Sequence, residues 1–174
     1  MVIHPGKTKS MVLASRQKHQ CKPLMLKLTL GANLIDQVCE HGVLGVTLNE
    51  ELKWQSHIDT VCKKLARNLF LHGQLKHYLS IDCRKMFFNA HLLAHINYAS
   101  TLWSNASEVH LKNILKNSLY RRAAKLILTE QSLSTTAKLR KLDILPLQKQ
   151  FMYNTAVLMF KMHMGLTPRY VRTS

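Results

Sequence analysis

The acidic side chains of this chain are few and far apart. Chemistry in which two Mg²⁺ ions hold reacting phosphate oxygens requires close carboxylates, because Mg²⁺ prefers hard oxygen ligands. The only adjacent pair is Glu50-Glu51, which precedes Trp54 and fits a helix entrance, where negative charge complements the helix dipole. The four aspartates are each isolated in sequence: Asp36, Asp59, Asp82 and Asp143. We therefore expect no metal site and no two-metal catalysis from this chain by itself.

Histidine and cysteine spacing gives little support for metal binding. His91 and His95 are four residues apart and would share a helix face, as paired metal ligands do. No glutamate lies between them and no third ligand is evident, so packed or surface histidines are the favoured interpretation. The cysteines fit neither zinc-ligand pairs nor a compact disulfide framework, and we interpret them as reduced thiols. They are Cys21, Cys39, Cys62 and Cys83.

Positive charge is concentrated in the C-terminal two thirds of the chain. The 174 residues include 25 Lys and Arg against nine Asp and Glu, a net charge of +16. Residues 1–55 contain seven basic and four acidic residues, whereas residues 56–174 contain eighteen and five. This asymmetry indicates a polyanionic partner for the C-terminal part, most simply nucleic acid. The alternative is that these cations only solvate helix faces.

The first fifty residues show the patterns of short strands. Ser10–Ala14 is an apolar run after a turn signal at Pro5-Gly6, and residues 24–30 alternate with period two. A turn at residues 31–33 would lead into a returning strand at Leu34–Val38, and Gly42–Leu48 is a fourth β-like run. These pieces predict one small antiparallel sheet or the edge of a larger one.

From Trp54 onward the apolar spacing becomes helical. A stripe at intervals of three and four residues runs from Ile58 to Leu75, opposite Lys63, Lys64 and Arg67. Ser80 predicts the start of a second helix that ends near Tyr98. A third is predicted from Ser107 to Leu128, with Leu111, Ile114, Leu115, Leu119 and Ile127 facing inward.

Two further helices close the predicted bundle. A short helix is predicted over Thr135–Lys141, and Pro146 fits the first turn of a long last helix that Gly165 ends. The predicted fold class is therefore α+β and mainly α, with a short N-terminal antiparallel β segment followed by a bundle of four or five helices. No apolar run is long enough to cross a membrane.

Several short motifs follow one another along nearly the whole chain. Residues 4–9 read His-Pro-Gly-Lys-Thr-Lys, and residues 44–58 contain Leu-Gly-Val-Thr-Leu and then Leu-x-Trp-x-x-His-Ile. Residues 97–107 read Asn-Tyr-Ala-Ser-Thr-Leu-Trp-Ser-Asn-Ala-Ser, and residues 119–128 read Leu-Tyr-Arg-Arg-Ala-Ala-Lys-Leu-Ile-Leu. Leu-Pro-Leu at 145–147 and Gly-Leu-x-Pro-x-Tyr at 165–170 complete the series. Each motif is weak alone, and their order makes the pattern specific.

This series resembles the C-terminal part of the reverse transcriptase of non-LTR (LINE-type, Jockey-like) retrotransposons. The family's turn reads Asn-Pro-x-Lys-Thr-Lys, from which His4 departs. The resemblance implies that residues 1–52 are the end of a polymerase palm and that residues 53–174 are the thumb and the helices after it. The family's Asp-Asp motif would lie upstream of Met1, so an RNA-directed DNA polymerase activity is not expected of this chain alone.

The resemblance also implies roles for individual residues. Lys7 occupies the place of the motif-D lysine, which would assist pyrophosphate departure, although a solvated turn lysine is the favoured interpretation because this chain offers no Asp-Asp motif for it to assist. Leu44, Gly45 and Val46 match the primer grip, a backbone turn that steadies the primer end, although an ordinary buried strand is the alternative. Trp54 and Trp103 either stack on bases or anchor helices to the core.

The basic helix faces are the candidate nucleic-acid-binding surface, because thumb helices follow the duplex backbone. Contacts of this kind give affinity without sequence choice. The candidates are Lys63, Lys64, Arg67, Lys76, Arg84, Lys85, Lys112, Lys116, Arg121, Arg122 and Lys125. For any one of them a solvated surface position is an equal alternative.

The expected function is that of a truncated reverse transcriptase fragment with residual, non-specific binding to RNA, DNA or a hybrid duplex. No cofactor is expected in this chain, although a complete relative would use Mg²⁺, and no membrane or small-molecule partner is expected. We expect an intracellular location, in nucleus or cytoplasm. The rival interpretations are a basic helical module that binds another protein through its apolar stripes, and a gene relic without a selected function.

Overall fold

A computed structural model describes residues 3–21, 25–106, 111, 119–128 and 132–171 of the chain. The described part is mainly helical, and its strands lie within the first fifty residues, as the sequence predicts. The chain divides into two compact units, Met1–His57 and Ile58–Ser174. The boundary falls in the first turn of the long second helix, whereas the predicted boundary lies between residues 52 and 53.

Three short strands form one sheet in the first unit. β1 (Lys9–Ser10) follows a 3-10 turn at Pro5–Lys7 and pairs in parallel with β3 (Asn33–Gln37). β2 (Leu28–Leu30) pairs with β3 antiparallel, through a turn in which Gly31 has φ +61°. The sheet is therefore mixed rather than wholly antiparallel. The prediction of a strand over Ser10–Ala14 is wrong, because pairing stops at Ser10 and a short helix, α1 (Arg16–Cys21), follows.

The predicted strand at Gly42–Leu48 is instead a hairpin. β4 (Glu40–Val43) and β5 (Val46–Asn49) pair antiparallel, and Val43 lies opposite Val46. The two connecting residues, Leu44 and Gly45, have φ angles of 48° and 79°. A two-residue turn with both φ angles positive matches the right-handed twist of paired strands, so the chain reverses here. The predicted single sheet is thus two separate sheets.

The long helix α2 (Gln55–Leu75) confirms the periodicity of its sequence. Its buried side chains follow the predicted spacing, and Cys62 and Leu75 are half-buried beside them. The buried apolar members are Ile58, Val61, Leu65 and Leu69. The exposed face on the other side of the helix is polar and positively charged, because it contains lysine and arginine.

The helix predicted from Ser80 to Tyr98 is present but not uniform. α3 (Ile81–Phe88) begins where the Ser80 hydroxyl accepts a hydrogen bond from the Cys83 backbone N–H. A π segment (Asn89–Leu93) then widens the helix for one turn before α4 (Ala94–Asn97). The element ends because Tyr98 leaves the helical region with ψ 118°, and Ala99 then takes a left-handed conformation with φ 50°.

Of the remaining described helices, the one directly after Ala99 was not predicted from the sequence, and the others lie near their predicted positions. α5 (Ser100–Trp103) directly follows Ala99. A helix was predicted over residues 107–128, of which residues 107–110 and 112–118, including Ile114 and Leu115, lie outside the described residues. Leu111 is helical and buried. The C-terminal end of the predicted helix is present as α6 (Leu119–Ile127).

The last two helices confirm their sequence signals. α7 (Thr135–Lys141) begins where the Ser134 hydroxyl accepts from the Ala137 N–H. α8 (Leu147–His163) follows Pro146 directly and ends before Gly165, whose φ is 69°. Proline suits the start of a helix because its φ is fixed near the helical value, and glycine suits the end because it adopts a positive φ without strain.

The packing of the second unit centres on Trp103. The indole is fully buried and meets the ring of Phe151 edge-on at 5.2 Å between centroids. Its Nε1–H donates to the Tyr98 carbonyl at 3.1 Å, which satisfies the only polar atom of that side chain. Helix α8 packs on α4 and α5, α3 packs on α6, and α6 packs on α7.

Candidate nucleic-acid interface

Three cations lie together on the outer face of α2. Lys63, Lys64 and Arg67 are all exposed, and their spacing puts them within about 100° of one another around the helix axis. The buried stripe of α2 lies on the opposite side. Among the described residues, none of these three side chains has a carboxylate partner. We call this group the α2 triad.

Two histidines from the next helical element lie close to the α2 triad. The Asn68 side-chain amide donates to the His91 carbonyl at 2.7 Å, which holds α2 against the π segment. Burial lowers the pKa of His95, and the charges of Lys64, His91 and Arg67 lower it further. His91 also packs against the Phe87 ring at 4.5 Å. The two histidines therefore lie beside the cations of the α2 triad, and the lowered pKa of His95 disfavours a further positive charge on that ring.

Helix α6 has a second group with the same spacing as the first. Arg121, Arg122 and Lys125 are exposed, and within the described ranges they too lack a carboxylate partner. The opposite face of α6 contains Ala123, Ala124 and Ile127, which are buried. We call this group the α6 triad. Both triads thus follow the pattern i, i+1, i+4 on a face turned away from the core.

Arg84 has an internal structural role. Its Nε–H donates to the Leu79 carbonyl at 2.9 Å, and an Nη1–H donates to the Ile127 carbonyl at 3.4 Å. The guanidinium thereby joins α3 to the end of α6, where the last carbonyls have no helical partner. Its donors are partly used inside the protein, so it is a weaker candidate for phosphate than the exposed cations.

The other predicted cations are dispersed. Lys76 is half-buried in the turn after α2, and Lys85 is half-buried at an open depression of about 550 Å³ lined also by Asp82, Met86, Asn89 and Ala90. Asp82 and the aliphatic lining make that depression poorly suited to an anion. Lys112 and Lys116 lie outside the described residues.

Two more features of the resemblance lie in the first unit. Lys7 is exposed and ends the 3-10 turn, which fits a solvated turn lysine as well as a phosphate contact. In the primer-grip-like motif, Leu44 and Gly45 form the exposed tip of the hairpin and Val46 is buried beneath it. The alternative of a plain buried strand is wrong, because the chain reverses at this point. A role in holding a primer stays a prediction.

The motif tryptophans and their neighbours form internal contacts. The Nδ1 atom of His57 accepts from the Thr47 backbone N–H at 3.3 Å, and Trp54 meets the His57 ring edge-on at 6.5 Å. Trp103 is fully buried, so it anchors helices and does not offer a face to a base. Trp54 is half-buried beside His57, which favours the same anchoring role.

The carboxylates of the described residues do not form a set that fits Mg²⁺. Asp36 receives a hydrogen bond of 2.7 Å from Lys9, which lowers the pKa of that carboxyl. Glu51 pairs with Lys53, and Glu40 accepts from the Ser56 hydroxyl at 2.6 Å. Among the described residues no group of three histidine, cysteine or acidic side chains is arranged to hold a metal ion.

Two polar arrangements were not predicted from the sequence. Lys138 is buried, and its Nζ donates to the Leu128 carbonyl at 3.1 Å. The Asn154 amide donates to Asn97 Oδ1 at 3.0 Å and to the Ser100 hydroxyl at 2.9 Å, while its oxygen accepts from Gln150. A lysine in a basic stretch is ordinarily a solvated residue, so only the fold reveals the first arrangement.

Comparison with protein-family models, with curated proteins and with solved structures gave no match to this chain. The family therefore rests on the motifs of the sequence alone and stays a proposal. Of the helices that the structure describes, none has the length and apolar character needed to cross a bilayer.

Proposed function

We propose that the helical unit binds the phosphate backbone of RNA, DNA or a hybrid duplex without sequence preference. The proposal is carried by the α2 triad. The triad consists of exposed cations that have no carboxylate partner among the described residues. The α6 triad repeats the arrangement on another helix. The resemblance to non-LTR reverse transcriptases supports the same partner, and a non-LTR retrotransposon is the origin that we propose.

The proposed mechanism of binding is electrostatic. Each lysine or arginine that meets a phosphate releases a condensed counterion into solution, and this release favours binding most at low salt. The log of the association constant should therefore fall linearly with the log of salt concentration, by about 0.9 for each phosphate neutralised on a duplex. Contacts to phosphates alone do not distinguish one base sequence from another.

A salt titration with a matched charge control tests the proposal. Binding of a fluorescent duplex is measured by anisotropy between about 50 and about 200 mM salt. The triple variant Lys63→Ala, Lys64→Ala, Arg67→Ala removes the α2 triad and should reduce the slope by up to about 2.7. The control removes the same charge from exposed positions of the first unit, through Arg16→Ala, Lys18→Ala and Lys27→Ala. If both triple variants lose the same slope, binding reflects net charge alone and the proposed face is wrong.

Catalysis is tested separately. We expect the purified chain not to extend a primer on an RNA template with Mg²⁺, because its carboxylates are scattered. Incorporation of nucleotides would overturn that expectation without affecting the binding proposal, which depends on cations alone.

A further inference from the structure

The outward face of α8 is apolar, although the face behind it already packs into the core. Four large side chains on it are between 57% and 71% exposed. These four side chains and Ala156 recur at intervals of three or four residues and together occupy about 120° of the helix circumference. We call this set the outer stripe of α8; it consists of Met152, Tyr153, Ala156, Met159 and Phe160.

The core-facing side of the same helix accounts for its packing without the outer stripe. Leu147, Gln150 and Phe151 are buried, and Asn154 is tied to Asn97 and Ser100 by hydrogen bonds. The buried contacts and inter-helix hydrogen bonds named here therefore come from residues outside the outer stripe. A contiguous exposed patch of large apolar side chains is typical of an interaction surface.

The outer stripe has no acidic neighbour along the chain. Lys149 and His163 are exposed at its two ends, within the same arc of the helix. The sequence from residue 144 to residue 174 contains no aspartate or glutamate. An apolar strip with a lysine at one end and no acid nearby is complementary to a partner that presents apolar side chains between acidic ones.

We propose that the outer stripe of α8 binds an amphipathic helix of a partner protein whose apolar side chains are flanked by Asp or Glu. Two turns of exposed side chains at helical spacing match the side chains that a second helix presents at i, i+3, i+4 and i+7. Methionine suits such a surface, because its unbranched side chain adapts to the shape of its partner.

A second copy of this chain is the less suitable occupant. Antiparallel packing of two α8 helices would place Lys149 of one opposite His163 of the other, and parallel packing would place like residues together. Residues 144–174 contain no acidic side chain that could pair with Lys149 of a second copy in either arrangement.

The test uses a designed helical peptide of about 18 residues with leucines at helical spacing and glutamates at the other positions. A second peptide replaces every glutamate with lysine. At about 150 mM salt, where weak surface attraction is screened, the full chain should bind the acidic peptide and not the basic one. Substituting Met159→Ser and Phe160→Ser leaves the net charge unchanged and should weaken binding by about tenfold or more.

The chain offers a matched control for that variant. Phe70 on α2 and Met86 on α3 are each 69% exposed, so Phe70→Ser with Met86→Ser removes the same two side chains elsewhere. This control should bind the acidic peptide as the unaltered chain does. Equal loss in both variants, or no loss in either, would overturn the proposal.

Two further measurements distinguish the other occupants. Light scattering over a range of concentrations reports self-association, and flotation with vesicles containing anionic lipid reports membrane binding. Loss of either property in the Met159→Ser, Phe160→Ser variant, without peptide binding by the unaltered chain, would assign the stripe to that occupant instead. The nucleic-acid proposal is independent, because its triads lie on α2 and α6.

Discussion

Lys138 donates a hydrogen bond from its buried Nζ to the carbonyl of Leu128, at 3.1 Å. Leu128 directly follows α6, and Arg84 donates to the preceding carbonyl, that of Ile127. Two cations from two other helices thus occupy the C-terminal end of α6, where the helix dipole is negative and the last carbonyls lack helical partners. The end of α6 is therefore held by side chains that the sequence alone would place in solvent.

Replacing Lys138 by methionine should destabilise the helical unit. The substitution keeps most of the aliphatic stem but leaves the buried Leu128 carbonyl without a donor, so we expect a loss of about 1–3 kcal/mol in unfolding free energy. Urea unfolding measures it. Arg140→Met on the same helix is the control, because Arg140 is exposed and its replacement should change stability by less than about 0.5 kcal/mol. Equal effects would mean that the Lys138 hydrogen bond adds nothing.

Arg84 and Arg67 should respond oppositely to replacement by alanine. Arg84→Ala removes the donors to Leu79 and Ile127 and should lower stability by about 1–3 kcal/mol, with little change in the salt slope of duplex binding. Arg67→Ala should leave stability nearly unchanged and reduce that slope by about 0.9. Urea unfolding and anisotropy on both variants give the comparison. A slope that falls only for Arg84→Ala would reverse our assignment of the two arginines.

His72 should make the helical unit sensitive to acid. Burial lowers the pKa of His72, and the nearby charge of Arg84 lowers it further; the ring stacks on Phe87 at 4.9 Å. The unfolded chain then binds a proton more readily than the folded one. The stabilisation of the fold that His72 provides is thus complete at pH values above 6.5, the ordinary pKa of histidine. It is lost as the pH falls toward the lowered pKa of His72 in the folded protein.

His72→Phe retains an aromatic ring against Phe87 and removes the titrating group, so its stability should depend less on pH between about 7.5 and about 5. Urea unfolding at both pH values measures the difference. His77→Phe, at an exposed position, is the control and should keep the acid sensitivity of the unaltered chain. His95, whose pKa is also lowered, supplies acid sensitivity of the same sign in every variant. A pH dependence that is identical in all three proteins would contradict the role of His72.

The left-handed turn residue Leu44 should be replaceable with a gain in stability. Its side chain is 86% exposed and its φ is 48°, a conformation that costs an L-residue about 1–2 kcal/mol. Asparagine tolerates this conformation, so Leu44→Asn should stabilise the hairpin by about 0.5–1 kcal/mol. Slower hydrogen exchange over residues 40–49 would show it. Leu34→Asn, at an exposed strand position, is the control and should give no gain.

The amide of Asn154 should be essential to the contact of α8 with α4 and α5. Asn154→Ala leaves Asn97 and the buried Ser100 hydroxyl without this donor, and we expect a loss of about 1–3 kcal/mol. Thr155→Ala is the neighbouring control: its hydroxyl donates only to the carbonyl one turn back in the same helix, and it should cost less. Thermal unfolding of the two variants measures the difference.

The helices were predictable from the sequence because their signals are local. Ser80 and Ser134 each cap the helix that follows, and Gly165 ends α8 with a positive φ. The apolar stripe of α2 likewise depends only on spacing within one element. Such features require no knowledge of the rest of the fold.

The arrangement of the strands was not predictable in the same way. The reversal at Leu44 has no turn-forming residue at its first position, since leucine seldom adopts a positive φ. The parallel pairing of β1 with β3 joins residues that are distant in sequence, such as Lys9 and Asp36. Both depend on tertiary contacts, which periodicity does not report.

The candidate site was predicted in part. Exposure of the α2 and α6 triads follows from helical periodicity, and both were among the predicted cations. The internal hydrogen bonds of Arg84 depend on where α3 meets α6, and the proximity of His95 to Lys64 depends on the π segment. No spacing rule within one helix gives either relationship.

The π segment has a consequence for the alignment of the core. Phe88, Leu92 and Ile96 are all buried and are each separated by four residues. In an unbroken α-helix of 3.6 residues per turn, such a column would wind away from its neighbours by about 40° at each step. The wider turn at Asn89–Leu93 absorbs part of that rotation, so the three side chains wind less around the axis than they would in an unbroken α-helix. Shortening this turn by one residue would twist everything after it out of register.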